Sequence, residues 1–338
     1  MSVCTNEDNE DFTFIFNTLK VSIQVLFNII YNPTILMADA AACITIASTS
    51  VFGSNFTRLT CYCHVERASA RRLNGNEDKD NIILDLQIIL LAFSKPLFNL
   101  MIELFKSKWS KYQEFFNNFV NEWVNQNSLW YEGASFNQSV PSQNNALEST
   151  HYVVKNQHTL RQRLALFPYF SNAFKMMKNM SLDRVNVKPF ETDVIVSKEL
   201  FEIAFTWIFE YKCSINQIIN QFNYLVCKNK YKHLLHPFEN LVVHSQCDLD
   251  FDGLGYLIRK VSMVNLVNNK EEWKKSTCTC KYFSKKYFCS HIIVVAVAMR
   301  LVEIPNESKN VNIGNKKAPG RPSKIKTGKP LQVQANIV

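Results

Sequence analysis

The first 50 residues alternate apolar segments with polar breaks in a pattern that predicts a helix, a strand and a second helix. Residues 12–30 are mostly apolar but carry a polar side chain every three or four positions, which favours a largely buried helix over a membrane span. Pro33 ends this segment, and residues 34–37 form a short apolar strand candidate. Asp39 follows at the end of that strand, before the small residues 40–50, which predict the second helix.

The middle of the chain has the pattern of a helical region. Residues 81–130 alternate apolar runs with lysines, and five aromatic residues fall between Trp109 and Phe119. Aromatic residues at near-helical spacing usually belong to a core. Residues 166–240 likewise predict amphipathic helices, and the tail after Pro305 is the segment that we expect to be disordered.

The most specific chemistry lies near the C-terminus, where two pairs of potential metal ligands stand at matched spacing. Cys278 and Cys280 are separated by one residue, as are Cys289 and His291, and eight residues lie between the pairs. Residues i and i+2 of a strand point to the same side, so the first pair can present two sulfurs to one ion. The second pair can complete a tetrahedron from the far side of a hairpin formed by residues 281–288. Three sulfurs and one nitrogen predict a single structural Zn²⁺, and ordinary buried thiols beside an unrelated histidine are the alternative.

The order Cys-x-Cys, short spacer, Cys-x-His resembles the SWIM-type zinc finger. The apolar residues 292–302 predict a helix that begins near His291 and is too short to cross a bilayer. The resemblance implies a small ββα zinc module that binds DNA or protein.

Composition and charge are compatible with a DNA partner. The 338 residues include 47% hydrophobic residues, enough to bury substantial cores in about two or three domains. Ten cysteines are spread along the chain and no secretory pattern precedes them, which favours a reducing compartment. Of the net charge of +9, lysine and arginine after residue 307 contribute +7 with no acid among them.

The basic tail contains a Gly-Arg-Pro core flanked by lysines, with Lys316, Lys317, Arg321 and Lys324 as candidate DNA contacts. This segment resembles an AT-hook, which implies binding in the minor groove of A·T-rich DNA, where an inserted arginine is favoured. A solvated basic tail or a nuclear-import signal is the alternative. We expect a nuclear protein whose attraction to DNA falls steeply with salt.

An ordered series in the first half of the chain resembles the core of Mutator-like element transposases. Asp39 follows a strand, and Cys61 and His64 match a Cys-x-x-His element of that family. Asn145 precedes Glu148 in an Asn-Asn-x-x-Glu segment. The resemblance implies an RNase H-like fold in which two aspartates and a glutamate hold two divalent metals, with Asp39 as the second aspartate and Glu148 as the glutamate. A C-terminal SWIM finger accompanies many of these transposases.

The first catalytic aspartate of that family has no counterpart. Only ten residues precede the helix that begins near Asp11, and the acids Glu7, Asp8 and Glu10 have no strand pattern around them. A two-metal site without this carboxylate loses charge that it needs to hold the ions. We therefore expect the matched acids to be vestigial, with Mg²⁺ bound only if a missing strand is supplied by an upstream segment or a partner chain.

Each matched residue also has a structural interpretation. Asp39 can cap the helix that follows it, and Asn145 with Glu148 has the spacing of a capping box. Cys61 and His64 have no evident further ligands beside them, which favours core packing over a second metal site.

We therefore predict an α+β protein with four parts: a partial RNase H-like domain at 1–165 with a helical insertion at about 79–140, a helical connector at 166–240, a SWIM zinc finger region at 241–305, and a disordered basic tail at 306–338. The predicted function is that of a zinc-binding, DNA-binding nuclear protein descended from a transposase, with no membrane partner. Two alternatives stay open: a component of an active metal-dependent transposase, and a zinc module for protein–protein interaction.

Overall fold

The computed structural model describes residues 7–135, 165–183, 195–218, 222–244 and 248–309, together with residues 152, 153 and 156. These stretches contain both helices and sheets, and helices predominate. The elements of the first stretch are α1 (Asn9–Phe27), β1 (Ile35–Ala38), α2 (Ala42–Phe52), β2 (Thr57–Thr60), α3 (Tyr62–Arg72), α4 (Lys79–Ile89), α5 (Lys95–Lys108) and α6 (Gln113–Phe119), followed by a π-helical turn (Val120–Gln126) and a 3-10 turn (Glu132–Ala134).

The later stretches hold the second sheet and the remaining helices. Their elements are α7 (Leu166–Asp183), α8 (Lys198–Phe209), β3 (Ser214–Gln217), β4 (Asn223–Cys227), a 3-10 turn (Asn229–Leu234), α9 (Leu235–His244), α10 (Phe251–Lys260), β5 (Ser262–Asn265), a 3-10 turn (Trp273–Lys275), β6 (Thr277–Cys278), α11 (Lys281–Lys286), α12 (Ser290–Ala298) and α13 (Asn306–Lys309).

Polar capping residues account for where several helices begin. The Asp8 carboxylate accepts hydrogen bonds from two backbone N–H groups in the first turn of α1. Ser94 caps α5 by accepting from the Leu97 N–H at 3.4 Å, and Asp250 caps α10 by accepting from the Gly253 N–H at 2.8 Å. These bonds satisfy donors that the first helical turn leaves without intrahelical partners.

The first sheet is a parallel pair. β1 and β2 run from Ile35 opposite Thr57 to Ala38 opposite Thr60, and α2 forms the crossover between them. The short strand and following helix predicted from the sequence are both present, with bounds shifted by one or two residues. Asp39 directly follows the strand β1, as predicted.

The second sheet is antiparallel, in the order β3-β4-β5-β6, and it separates two hydrophobic cores. Alternate residues of a strand point to opposite faces. On β4, Leu225 and Cys227 pack into one core, whereas Tyr224 and Val226 pack into the other. We call the first the helical core and the second the C-terminal core.

The helical core is built mainly from α3 to α6, α9 and α10, and its centre is aromatic. The Trp130 ring lies 5.1 Å from the Phe98 ring, in an edge-on arrangement, and 6.3 Å from the Phe119 ring. The Trp130 indole N–H donates to the Trp123 carbonyl at 2.7 Å, so its polar atom is satisfied. Phe119 is 1% exposed and Phe115 is buried with it, which confirms the prediction that these aromatic residues belong to a core.

The C-terminal core is smaller and is built from α8, the sheet and α12. Residues 292–296 of α12 are all buried, as expected for a helix that is apolar on every side. Trp273 and Phe288 close this core, with their ring centres 5.7 Å apart.

The prediction that the N-terminal helix is largely buried is wrong. α1 forms, but none of its residues is buried, and Val25 and Leu26 are 76% and 72% exposed. Apolar content predicted the helix but could not tell how much neighbouring chain would cover it. No helix in the described stretches combines the length and the apolar character that a bilayer-spanning segment needs.

The prediction of a helical connector at 166–240 is wrong for part of this segment. β3 and β4 lie within this segment and form half of the second sheet. The run Asn223–Cys227 is a strand because it pairs with β5, which lies about 40 residues later in the chain. The segment that was expected to connect two domains instead forms part of both cores.

Candidate metal centre

The ends of three regular elements bring the four predicted zinc ligands together. Cys278 ends β6, Cys280 is the cap residue of α11, Cys289 is the cap residue of α12, and His291 lies in the first turn of α12. Each ligand is therefore held at the end of a regular element, where the chain changes direction.

The distances among these side chains fit a tetrahedral zinc site. All four ligand atoms lie within 4.8 Å of one another. His291 Nδ1 lies 3.8 Å from Cys278 Sγ and 3.9 Å from Cys289 Sγ. A tetrahedron with Zn–S near 2.3 Å and Zn–N near 2.0 Å has edges of about 3.5–3.8 Å, so a small movement would suffice to close the site around an ion. Three sulfurs and one imidazole are a donor set that zinc prefers.

Burial makes it costly for the cysteine ligands to ionise when no cation is bound. Cys278 and Cys289 are each 1% exposed, and burial raises the pKa of both thiols well above the ordinary value. Hydrogen bonds from the Cys278 and Cys289 thiols lower the pKa of Cys280, which makes Cys280 the preferred thiolate of the three. The Phe283 N–H also donates to Cys280 Sγ at 3.3 Å. A divalent cation would favour ionisation of the two remaining thiols, since metal ligands bind as thiolates.

A surrounding layer of contacts holds the ligands in place. The Trp207 ring of α8 meets the His291 ring edge-on, with centres 4.6 Å apart. Thr279, which lies between the first two ligands, is tied to β5 twice: its N–H donates to the Met263 carbonyl at 3.0 Å, and its hydroxyl accepts from the Met263 N–H at 2.9 Å. These contacts orient the histidine ring and the Cys278–Cys280 segment before any metal binds.

The predicted hairpin at residues 281–288 is wrong. Residues 281–286 form the helix α11, and Tyr287 follows in the left-handed region at φ 57°. The chain reverses through a helical turn because Cys280 caps α11 and Phe283 turns inward to a buried position. The strand that pairs with β6 is β5, which precedes it. Two strands and the predicted helix after Cys289 are present, but the first strand lies upstream of the ligands, and the helix α11 takes the place of the hairpin.

Sequence reasoning missed Trp207 and Met263. Trp207 lies 84 positions before His291 on an amphipathic helix, where an aromatic residue is ordinary. Met263 contributes backbone atoms that any residue other than proline would supply. Neither position carries a local signal of its role. The packing of α8 and β5 against residues 278–291 places both of them.

Comparison with known families agrees with this geometry. Residues 264–299 match the SWIM zinc finger family. The matched segment contains all four potential ligands, so the chain carries a SWIM-type zinc finger near the C-terminal end of its described part. No curated protein and no solved structure matches the chain significantly.

The proposed catalytic residue Asp39 has a different environment. Its Oδ1 accepts a hydrogen bond from the Ala41 N–H at 3.0 Å, and the Arg58 guanidinium donates to the backbone carbonyl of Asp39 and to that of Ala38. Burial lowers the pKa of Arg58, and the nearby Asp39 carboxylate acts in the opposite direction. Within the described stretches, the Cys278–His291 quartet is the only group of three or more potential metal ligands that lie close together.

The remaining predicted site residues divide between the described and undescribed parts of the chain. Cys61 is 1% exposed, at the start of α3, and the His64 Nδ1 atom is buried. Asn145 and Glu148 lie outside the described residues, as do the four predicted DNA contacts Lys316, Lys317, Arg321 and Lys324. Catalysis by Asp39 and Glu148 and DNA contact by the tail stay predictions.

Proposed function

We propose that this chain is a DNA-binding protein in which one structural zinc, held by Cys278, Cys280, Cys289 and His291, stabilises a SWIM finger. The observation that carries the proposal is the buried quartet inside the segment that matches the finger family. Four protein ligands fill the tetrahedral coordination of zinc, which leaves no position for a catalytic water and favours a structural role.

Charge supports DNA as the partner. Residues 264–299 contain six lysines and two glutamates, and Lys281, Lys285 and Lys286 are exposed on α11 beside the metal centre. The whole chain carries a net charge of +9. A rigid basic module together with the AT-hook-like tail would attract the phosphate backbone, with the tail reaching into an A·T-rich minor groove. This partner implies a nuclear location.

Descent from a Mutator-like transposase forms the second part of the proposal. The parallel unit β1–α2–β2, with Asp39 after the first strand, is compatible with part of an RNase H-like sheet. That observation also favours the second candidate function, a component of a metal-dependent transposase with Asp39 and Glu148 as Mg²⁺ ligands. Arg58 beside Asp39 argues for a vestigial site, because its positive charge opposes the binding of divalent cations there.

The test is a titration of a fluorescent A·T-rich duplex with zinc-loaded protein at several salt concentrations. We expect binding whose log K falls linearly with log salt, by about 0.9 for each phosphate contacted.

The variant Cys278→Ser should lose one equivalent of zinc and bind more weakly. Substitution of Arg321 by alanine should remove the preference for A·T-rich over G·C-rich duplex and leave the zinc content unchanged. Absence of binding, or binding that does not respond to salt, would contradict the proposal and leave protein docking as the role of the finger.

A further inference from the structure

A cavity of about 960 Å³ opens beside the metal centre. One side of the cavity is lined by residues of α4, α5 and α10, which belong to the helical core. The other side is lined by residues of α8, α11 and α12, which pack with the C-terminal core. Its volume is near the upper end of the range usual for ligand sites, roughly 300–1,000 Å³. The potential zinc ligands Cys280 and His291 are among its lining residues.

The lining of this cavity has an excess of positive charge. Five cationic and two acidic side chains line it, and both acids are bound to one lysine. Lys108 Nζ lies 2.8 Å from the Asp85 carboxylate and 2.6 Å from the Asp252 carboxylate. Within the described stretches, no ion pair neutralises the other four cations, which are Lys228, Arg259, Lys260 and Lys281.

Aromatic rings stand among these cations. Trp207 and Tyr231 both line the cavity. Lys228 Nζ lies 5.5 Å from the centre of the Trp207 ring, and Lys260 Nζ lies 5.3 Å from the centre of the Tyr231 ring. A hydrogen bond with Lys230 lowers the pKa of Tyr231, which reflects the positive field at this position.

Cations interleaved with aromatic rings match a ligand that carries both phosphates and flat bases. Sites for single strands combine a positively charged groove with rings on which bases stack. A duplex presents its phosphates on a convex surface and keeps its bases paired inside, so its bases cannot reach rings that lie within a cavity. We propose that this cavity binds nucleotide units of single-stranded nucleic acid, with phosphates held by Arg259 and Lys281 and a base stacked on Tyr231.

The inference rests on the nucleic-acid partner proposed above and assigns the finger a second task. Because Cys280, His291 and the intervening Lys281 belong to both the ligand segment and the lining, the metal would fix one part of the cavity in shape. The finger would then act as a structural wall of the binding site.

The test uses full-length, zinc-loaded protein and a fluorescent oligo-dT of about twelve nucleotides, within the site sizes of about 4–16 that single-strand modules cover. Each phosphate contact contributes about 0.7 to the slope of log K against log salt for single strands. The variant Arg259→Gln/Lys281→Gln should therefore make the salt dependence shallower, reducing the magnitude of the slope by about 1.4. Binding should weaken on the order of 25-fold at 0.1 M salt. Both side chains are exposed, so the fold should tolerate the change.

The matched control is Lys285→Gln/Lys286→Gln, which removes the same charge from α11 at two exposed positions outside the lining. This control should weaken oligo-dT binding much less than the cavity variant does. Equal loss in the two variants would overturn the proposal in favour of general attraction to a basic surface.

Stacking is tested at Tyr231. Tyr231→Leu should weaken oligo-dT binding at least about fivefold, whereas Tyr231→Phe, which keeps the ring, should bind as the unchanged protein does. Zinc content and the circular dichroism spectrum of both variants serve as checks on folding. Equal binding by the leucine and phenylalanine variants would overturn the stacking assignment.

Two further measurements distinguish a nucleic-acid strand from a single nucleotide as the ligand, and the cavity proposal from the proposed function. Free dTMP should compete weakly with the oligonucleotide; saturable binding of dTMP without binding of oligo-dT would overturn the assignment to a strand. Duplex binding that persists in the cavity variant while oligo-dT binding falls supports the cavity assignment. Duplex binding without any oligo-dT binding overturns the cavity assignment but leaves the proposed function intact, and binding of neither nucleic acid overturns both.

Discussion

The two cores that share the second sheet differ in how they are held together. The helical core buries a continuous set of large side chains, with Phe98, Phe119 and Trp130 at its centre. The C-terminal core has fewer buried residues and places three cysteines and a histidine at its edge. A small core buries a smaller fraction of its chain and often depends on a metal, whereas a large one can depend on apolar burial alone.

This difference suggests how the molecule divides its tasks. The ligand segment that completes the smaller core also lines the basic cavity, so stability and proposed recognition meet at the same residues. The larger core holds the other cavity residues on α4 and α10 without help from a metal. Loss of zinc should therefore damage one side of the cavity and leave the other in place.

The largest expected effect is loss of the metal. Cys278→Ser should release one equivalent of zinc and unfold the C-terminal core, because structural zinc sites contribute about 10–16 kcal/mol of apparent binding free energy, comparable with the stability of a whole domain. Metal analysis and hydrogen exchange of the α12 amides are the measurements. Cys43→Ser is the control, since Cys43 lies on α2 away from the centre and should leave the zinc content unchanged. Full zinc retention in Cys278→Ser would contradict the assignment.

The second effect should appear in the helical core alone. Phe98 is fully buried, and Phe98→Ala should lower the free energy of unfolding by about 3–5 kcal/mol through the lost burial and the cavity left behind. Denaturant titration followed by circular dichroism measures this loss. The native variant should keep its zinc; metal loss from the folded variant would show that the two cores are not separable.

A third experiment compares neighbouring residues of one strand. Leu225→Ala removes a side chain from the helical core and should cost about 2–5 kcal/mol of stability, and Val226→Ala should cost less because it removes fewer atoms. Hydrogen exchange should report faster opening of α5 in the first variant and of α12 in the second. Similar exchange profiles in the two variants would show that the sheet does not separate the cores.

The last experiment concerns pH. Burial raises the pKa of Cys278 and Cys289, so zinc must displace protons that these thiols still hold near neutral pH. Zinc affinity should therefore increase with pH as long as the pH is below the raised pKa. The free energy of zinc binding should change by about 1.4 kcal/mol per pH unit for each proton displaced. Competition with a chromophoric chelator between about pH 6 and pH 8 measures the slope. An affinity that does not change across this range would mean that the thiols ionise before zinc binds.

Several features could be predicted because they depend on neighbours in the sequence. The helices around Phe115 and Ile292, the short strand before Asp39 and the grouping of the four potential ligands all follow from local spacing, and the structure contains each of them. The strands β3 and β4 were missed because short apolar runs fit either a helix or a strand until a pairing partner is known. The exposure of α1 was missed for a related reason, since periodicity does not report which surface will cover a helix.

The sequence by itself determined the donor set of the metal centre, because two ligand pairs with one residue between them can meet around one ion through local turns. It also determined the basic character of the finger and of the tail. The tertiary structure alone decided that β6 pairs with the preceding β5, that Trp207 lies against His291, and that Tyr231 joins Lys281 in one cavity. These arrangements join residues far apart in the chain, and they depend on how whole helices and strands pack, which no local pattern encodes.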